Sequence, residues 1–154
     1  MRRLSLAIAL TLSAATLATT SVVMAGETPA PENAKAYFIN LKDGDTVSSP
    51  VVIRFGLSGM GVAPSGTEAP NTGHHHLLID APALEGDALN EAIPVDSGHV
   101  HFGKGQTEAS VTLTPGKHTL QLVLGDWSHI PHNKPVMSER ITIDVQATTG
   151  SAKQ

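Results

Sequence analysis

Apolar residues recur at every second position along most of this chain, in short runs that stop at turn residues. Tyr37, Ile39 and Leu41 alternate with other side chains before the turn pair Asp43-Gly44. Val51, Ile53, Phe55 and Leu57 share one parity, and Arg54 and Gly56 take the other. His75-His76-Leu77-Leu78-Ile79-Asp80 is apolar at its centre and bounded by Gly73 and Pro82. Val111 and Leu113 lead into Thr114-Pro115-Gly116-Lys117, with Pro and Gly at the central positions that a type II turn prefers. Leu120, Leu122 and Leu124 line one face, and Ile141, Ile143 and Val145 close the set. Period two is the geometry of a strand with one buried face. Roughly six or seven short strands follow, and with them an all-β fold: an immunoglobulin-like antiparallel β-sandwich, or alternatively a small β-barrel. Only Ala83 to Ile93 leaves room for a short helix. Two connections are long, Ser58 to Gly73 and Ala81 to Gly98, and loops of that length in a compact domain usually carry function.

The N-terminus has a different character. Arg2 and Arg3 precede an apolar run from Leu4 to Leu12, and Val23-Met24-Ala25 offers small residues at the cleavage positions. This predicts a secretory signal peptide over 1–25, cut after Ala25. The apolar run is broken by Ser13, Thr16, Thr19 and Thr20, short of the about 20 residues a spanning helix needs. Residues 26–35, rich in Pro and Ala, read as a disordered leader, 36–147 as the β-sandwich domain, and 148–154 as a disordered tail. The expected location is periplasmic or secreted. The chain has no cysteine, hence no disulfide framework and no thiol for a lipid anchor. The formal net charge is -4, and no Lys/Arg cluster interrupts it. This argues against nucleic-acid binding and adhesion to anionic lipid, since both need a basic stripe.

Against this ordinary background stand eight histidines. His74, His75 and His76 are consecutive, His99 and His101 alternate, and His129 and His132 bracket Pro131. In a strand, His74 and His76 project from one face, as do His99 and His101. Two imidazoles on one face can address one ion. His74, His76, His101, His129 and His132 are the candidate metal ligands, with Asp126 as an added oxygen ligand or an acceptor behind the site. An imidazole set of this kind suits Zn(II) or Cu(II). Met60 and Met137 are the only soft donors outside the N-terminal segment, which disfavours Cu(I) and iron–sulfur chemistry. His75 shares parity with Leu77 and Ile79 and reads as a core histidine hydrogen-bonded to backbone. His118 shares parity with Leu120, Leu122 and Leu124 and reads as structural. His99 reads as a loop residue.

Other chemistry finds no support. Gly56-Leu57-Ser58-Gly59-Met60 lacks the second glycine of a nucleophile elbow. Gly59 and Gly61 lack a phosphate-loop lysine. Asp43 and Asp45 sit where turn chemistry explains them.

Several longer motifs resemble a known family. They are Asp43-Gly44-Asp45-Thr46-Val47-Ser48-Ser49-Pro50, Phe55 to Pro64, Gly73-His74-His75-His76-Leu77-Leu78-Ile79-Asp80, His101 to Glu108, and Pro115 through His132. From about Tyr37 to Val145 the chain resembles a family of small exported bacterial domains catalogued as a domain of unknown function. The resemblance implies export and a single small domain, and no particular activity. Some members carry a rod-shape-determining label, which suits a polytopic membrane protein and is not carried over. A weaker, fold-level likeness to copper/zinc superoxide dismutase lacks that family's cysteines and full ligand series, and fold-level analogy carries no function.

Three functions follow as expectations. The first is a divalent-metal-binding domain. The second is a non-catalytic module that binds an envelope protein or glycan, with structural histidines. The third is a metal-dependent enzyme, in which an open position at three imidazoles acidifies bound water.

Overall fold

Nine strands carry the alternation in the computed structural model, which describes residues 26–147. They are β1 (Lys35–Phe38), β2 (Thr46–Ser48), β3 (Val51–Ser58), β4 (Gly61–Val62), β5 (Thr72–Ile79), β6 (His99–His101), β7 (Glu108–Val111), β8 (Gly116–Gly125) and β9 (Ile141–Gln146). The expected signal peptide and tail lie outside the described residues. Among the described residues no helix is long and apolar enough to cross a membrane.

The strands form two sheets, and the all-β expectation holds. A three-stranded antiparallel sheet has the order β1-β3-β7. A six-stranded sheet has the order β2-β9-β8-β5-β4 and curls into a half-barrel. In it, β6 shares with β4 the edge of β5 that β8 leaves free. Two pairings, β2 with β9 and β4 with β5, are parallel, which the antiparallel expectation did not include.

The main core lies between the sheets. Val51, Ile53 and Phe55 of β3 meet Leu77 of β5, Leu120, Leu122 and Leu124 of β8, and Ile141, Ile143 and Val145 of β9. These are the residues whose parity marks an inward face, and burying each side chain is worth roughly 1.5–3 kcal/mol. In β1 the inward parity is the other one. Ala36 is buried and Phe38 packs on the core, while Tyr37 and Ile39 are exposed. Register explains the choice: Tyr37 stands opposite Gly56, and its ring covers the space that a side chain there would occupy.

A second apolar cluster lies on the other face of the six-stranded sheet. Leu78 and Val123 project outward and are capped by Ala81, Leu84 and Ile93 from the long loop after β5. That loop does not hold the helix expected over 83–93. It holds a 3-10 turn, Gly86–Asn90, with no buried residue and no side-chain cap. Its flanking Leu84 and Ile93 go into the sheet instead of lining one helical face.

The expected disordered leader is also placed otherwise. Residues 26–34 form a strap across the loop that follows β8. Asn133 N donates to Thr28 O (2.9 Å), Ala30 N to Asn133 Oδ1 (3.2 Å), and Lys134 pairs with Glu32. Ala30 and Ala34 pack on the core. A Pro- and Ala-rich composition permits disorder, but here small apolar side chains and free backbone groups find partners.

Candidate metal centre

The outer face of β5 carries His74, His76 and Leu78 in a row, because residues two apart share a face. Register brings the rest. His76 stands opposite His101 of β6 on one side and Val123 of β8 on the other. His74 stands opposite Gly125, the last residue of β8. The H-x-H pair and His101 thus occupy one corner of the sheet, beside the second apolar cluster. His74, His76 and His101 each offer a ring nitrogen within 4.8 Å of the other two. His74 and His76 are fully buried, while His101 is only partly so.

A fourth imidazole comes from the turn after β8. The ring of His129 lies 4.9 Å from that of His74, 4.7 Å from His101 and 5.9 Å from His76, between centroids. His129 reaches this position with a positive φ of 73°. Asp126 organises the turn: its Oδ1 accepts from Ser128 N (2.8 Å), Ser128 Oγ (3.0 Å) and Ile130 N (3.0 Å). His129 O in turn accepts from Ile93 N (2.9 Å), which ties the turn to the long loop. Asp126 is therefore the scaffold of the turn. Its charge still acts on the cluster, opposing the loss of basicity at His74.

The Nε2 atoms of His74 and His76 face each other at 3.1 Å. Two lone pairs at that distance repel unless a proton or a cation lies between them. Nitrogens bound 2.0–2.1 Å from a tetrahedral ion stand about 3.3 Å apart, so the spacing fits shared coordination. His101 Nε2 and the Nδ1 atoms of His74 and His76 are buried without a hydrogen-bond partner. Buried polar atoms without partners are rare in native proteins.

Burial holds these rings neutral. It takes His74 down to about 4, aided by His101 and His129. It takes His76 down to about 2, aided by His74, His101 and His129. His101 is lowered by burial and then by His129. Neutral imidazoles at pH 7 have lone pairs free for a cation.

Two glycines give the rings their space. A Cβ at Gly125 would lie 2.9 Å from His76 Nε2, and one at Gly103 would overlap the His101 ring. Sequence reasoning passed over both. The signal available was a glycine two residues after His101 and another immediately before Asp126.

The remaining histidines lie elsewhere. His132 is fully buried but belongs to none of these ring contacts; its Nε2 meets Thr72 O at 3.3 Å, and burial lowers its pKa. His75 points into the core against Phe55, at 5.3 Å between ring centroids. The expected backbone hydrogen bond is missing there, since neither of its ring nitrogens has a partner. His99 meets Asp96 Oδ1 at 2.9 Å in a local turn. His118 bridges Asp80 Oδ2 (2.7 Å) and Thr114 O (2.8 Å), the structural role that its position implies. Met60 and Met137 pack in the apolar clusters. Asp45 accepts from Lys42 N within the turn, as expected, whereas Asp43 reaches across the fold and accepts from Thr142 N of β9.

No curated protein and no solved structure matches the chain. One family does match, over residues 53–146, a span that contains every histidine of the cluster. The motifs and this match agree: the chain belongs to the family described as domain of unknown function DUF4399.

Proposed function

We propose that this protein binds one divalent transition-metal ion, Zn(II) or Cu(II), through His74, His76, His101 and His129. The observation that carries the reading is the convergence of three ring nitrogens within 4.8 Å, with a fourth ring in contact. Imidazole suits both ions, and the cluster supplies no thiolate to favour softer ones. His132, an expected ligand, is left out of this set because its Nε2 meets Thr72 O. The reading includes export: residues 1–25 have the pattern of a signal peptide, and a periplasmic or secreted domain meets metal ions outside the cytoplasm. It also retains the immunoglobulin-like assignment, supported by two packed sheets with one core between them.

The test is metal uptake by the untagged protein, purified without metal-affinity resin. One equivalent of Zn(II) or Cu(II) should remain after dialysis, and X-ray absorption should give nitrogen ligands at about 2.0–2.1 Å. His76→Ala and His101→Ala should lose the ion. Absence of any bound ion after incubation with each metal, with no change in Tm, returns the cluster to a structural role and favours the envelope-binding reading.

A further inference from the structure

The strap over residues 26–34 crosses the turn that carries His129. Thr28 Oγ1 donates to Asp126 Oδ2 at 2.6 Å. The other carboxylate oxygen, Oδ1, is the one that holds the Ser128 and Ile130 amides. Thr28 is itself held in place, because its carbonyl accepts from Asn133 N. Farther along, Gly26 lies so close to Pro131 that a Cβ there would overlap the carbonyl oxygen, and Gly26 N donates to Asn90 Oδ1 (3.0 Å). A segment outside the family match thus closes on the loop between His129 and His132.

We infer that Thr28 is a positioning residue for the metal site: its hydroxyl occupies Asp126 Oδ2, which keeps that carboxylate on the turn and His129 aimed at the other three imidazoles. Without the hydroxyl, Asp126 has one oxygen free. It could then rotate toward an ion held by the cluster, or release the turn amides. Either event replaces or displaces the His129 ring. Groups that orient ligands from behind typically change metal affinity 10–100-fold when removed. This inference rests on the metal-binding reading above.

The test compares the wild-type chain with Thr28→Val, which keeps the shape and loses the hydroxyl, and Thr28→Ser, which restores it. Cu(II) is the probe, followed by competition titration and by the nitrogen hyperfine pattern in electron paramagnetic resonance. Thr28→Val should bind Cu(II) 10–100-fold more weakly with one nitrogen fewer in the pattern, and Thr28→Ser should behave as wild type. Amide exchange in metal-free protein supplies a second readout: Ser128 and Ile130 should exchange faster in Thr28→Val alone. Unchanged affinity, spectrum and exchange in Thr28→Val overturn the inference while leaving the metal site standing. If wild type itself takes up no Cu(II) or Zn(II), the metal reading fails and the inference falls with it. Should Thr28→Val fold poorly, Thr28→Ala tests the same hydroxyl.

Discussion

His74 Nε2 stands 3.1 Å from His76 Nε2 in the corner of a curled sheet, with His101 and His129 closing the other sides. Such an arrangement is costly without a proton or a cation to share. A bound ion would remove the cost and link three parts of the chain: β5, β6 and the turn after β8. Metal binding should therefore act on stability as well as on local geometry.

Added Zn(II) or Cu(II) at about 100 times its Kd should stabilise the fold by about 2.7 kcal/mol, a rise in Tm of roughly 5–15 °C. Thermal melts with and without the ion measure this. His74→Ala and His76→Ala should abolish the rise. A wild-type Tm unmoved by either ion contradicts the prediction.

Acid should destabilise the metal-free protein. Burial takes His74 and His75 to about 4 and His76 to about 2, against an ordinary value of 6.5. As pH falls below 6.5 the unfolded chain binds protons that the folded chain refuses. Stability therefore declines from pH 6.5 downward and continues to decline until the folded-state values are passed. Urea midpoints at pH 7, 6 and 5 should fall in that order, and His75→Leu should flatten the trend. A midpoint constant over this range would falsify the claim.

The His118–Asp80 pair should act with the opposite sign. Burial opposes the charged imidazole, but hydrogen bonds to Asp80 and Thr114 outweigh it and raise the His118 pKa. Both ring nitrogens face oxygen acceptors, so these contacts favour the charged imidazolium, which has an N–H for each. The folded pKa is above the unfolded one. Its stabilisation is complete below pH 6.5 and disappears as pH rises through the folded value. The stability difference between wild type and His118→Gln should be larger at pH 6 than at pH 9. An equal difference at both would mean that the ring contributes only by packing.

Gly125→Ala should damage the site more than the fold. The new Cβ would stand 2.9 Å from His76 Nε2 and 3.3 Å from His129 Cα, so the ring must move off its shared point. Overpacking of this kind costs about 1–3 kcal/mol. Circular dichroism should retain the β spectrum while metal uptake falls at least tenfold. Full uptake by Gly125→Ala would show that the cluster has more room than the geometry implies. Gly103→Ala, against the His101 ring, should behave in the same way.

Period-two alternation is a local property, and it made much of the fold legible. The inward faces of β3, β8 and β9 follow directly from it, because a strand has only two faces and one of them must be buried. The same argument placed His74 and His76 together and sent His75 to the opposite face. Parity alone could not say which face of β1 turns inward. That depended on Tyr37 meeting Gly56 across the register, a pairing between distant parts of the chain.

The remainder of the histidine cluster is long-range in the same sense. His101 reaches His76 because β6 pairs with β5 in one particular register; a slip of one residue would offer Val100 instead. His129 lies in the cluster and His132 does not: His129 sits in a turn whose amides Asp126 accepts, while His132 Nε2 meets Thr72 O. The amino-acid sequence by itself determined the strand faces and the H-x-H pair, through the two-residue period of extended backbone. Only the tertiary structure decided which other histidines join them, because strand register and turn geometry are settled by packing among residues far apart in the chain.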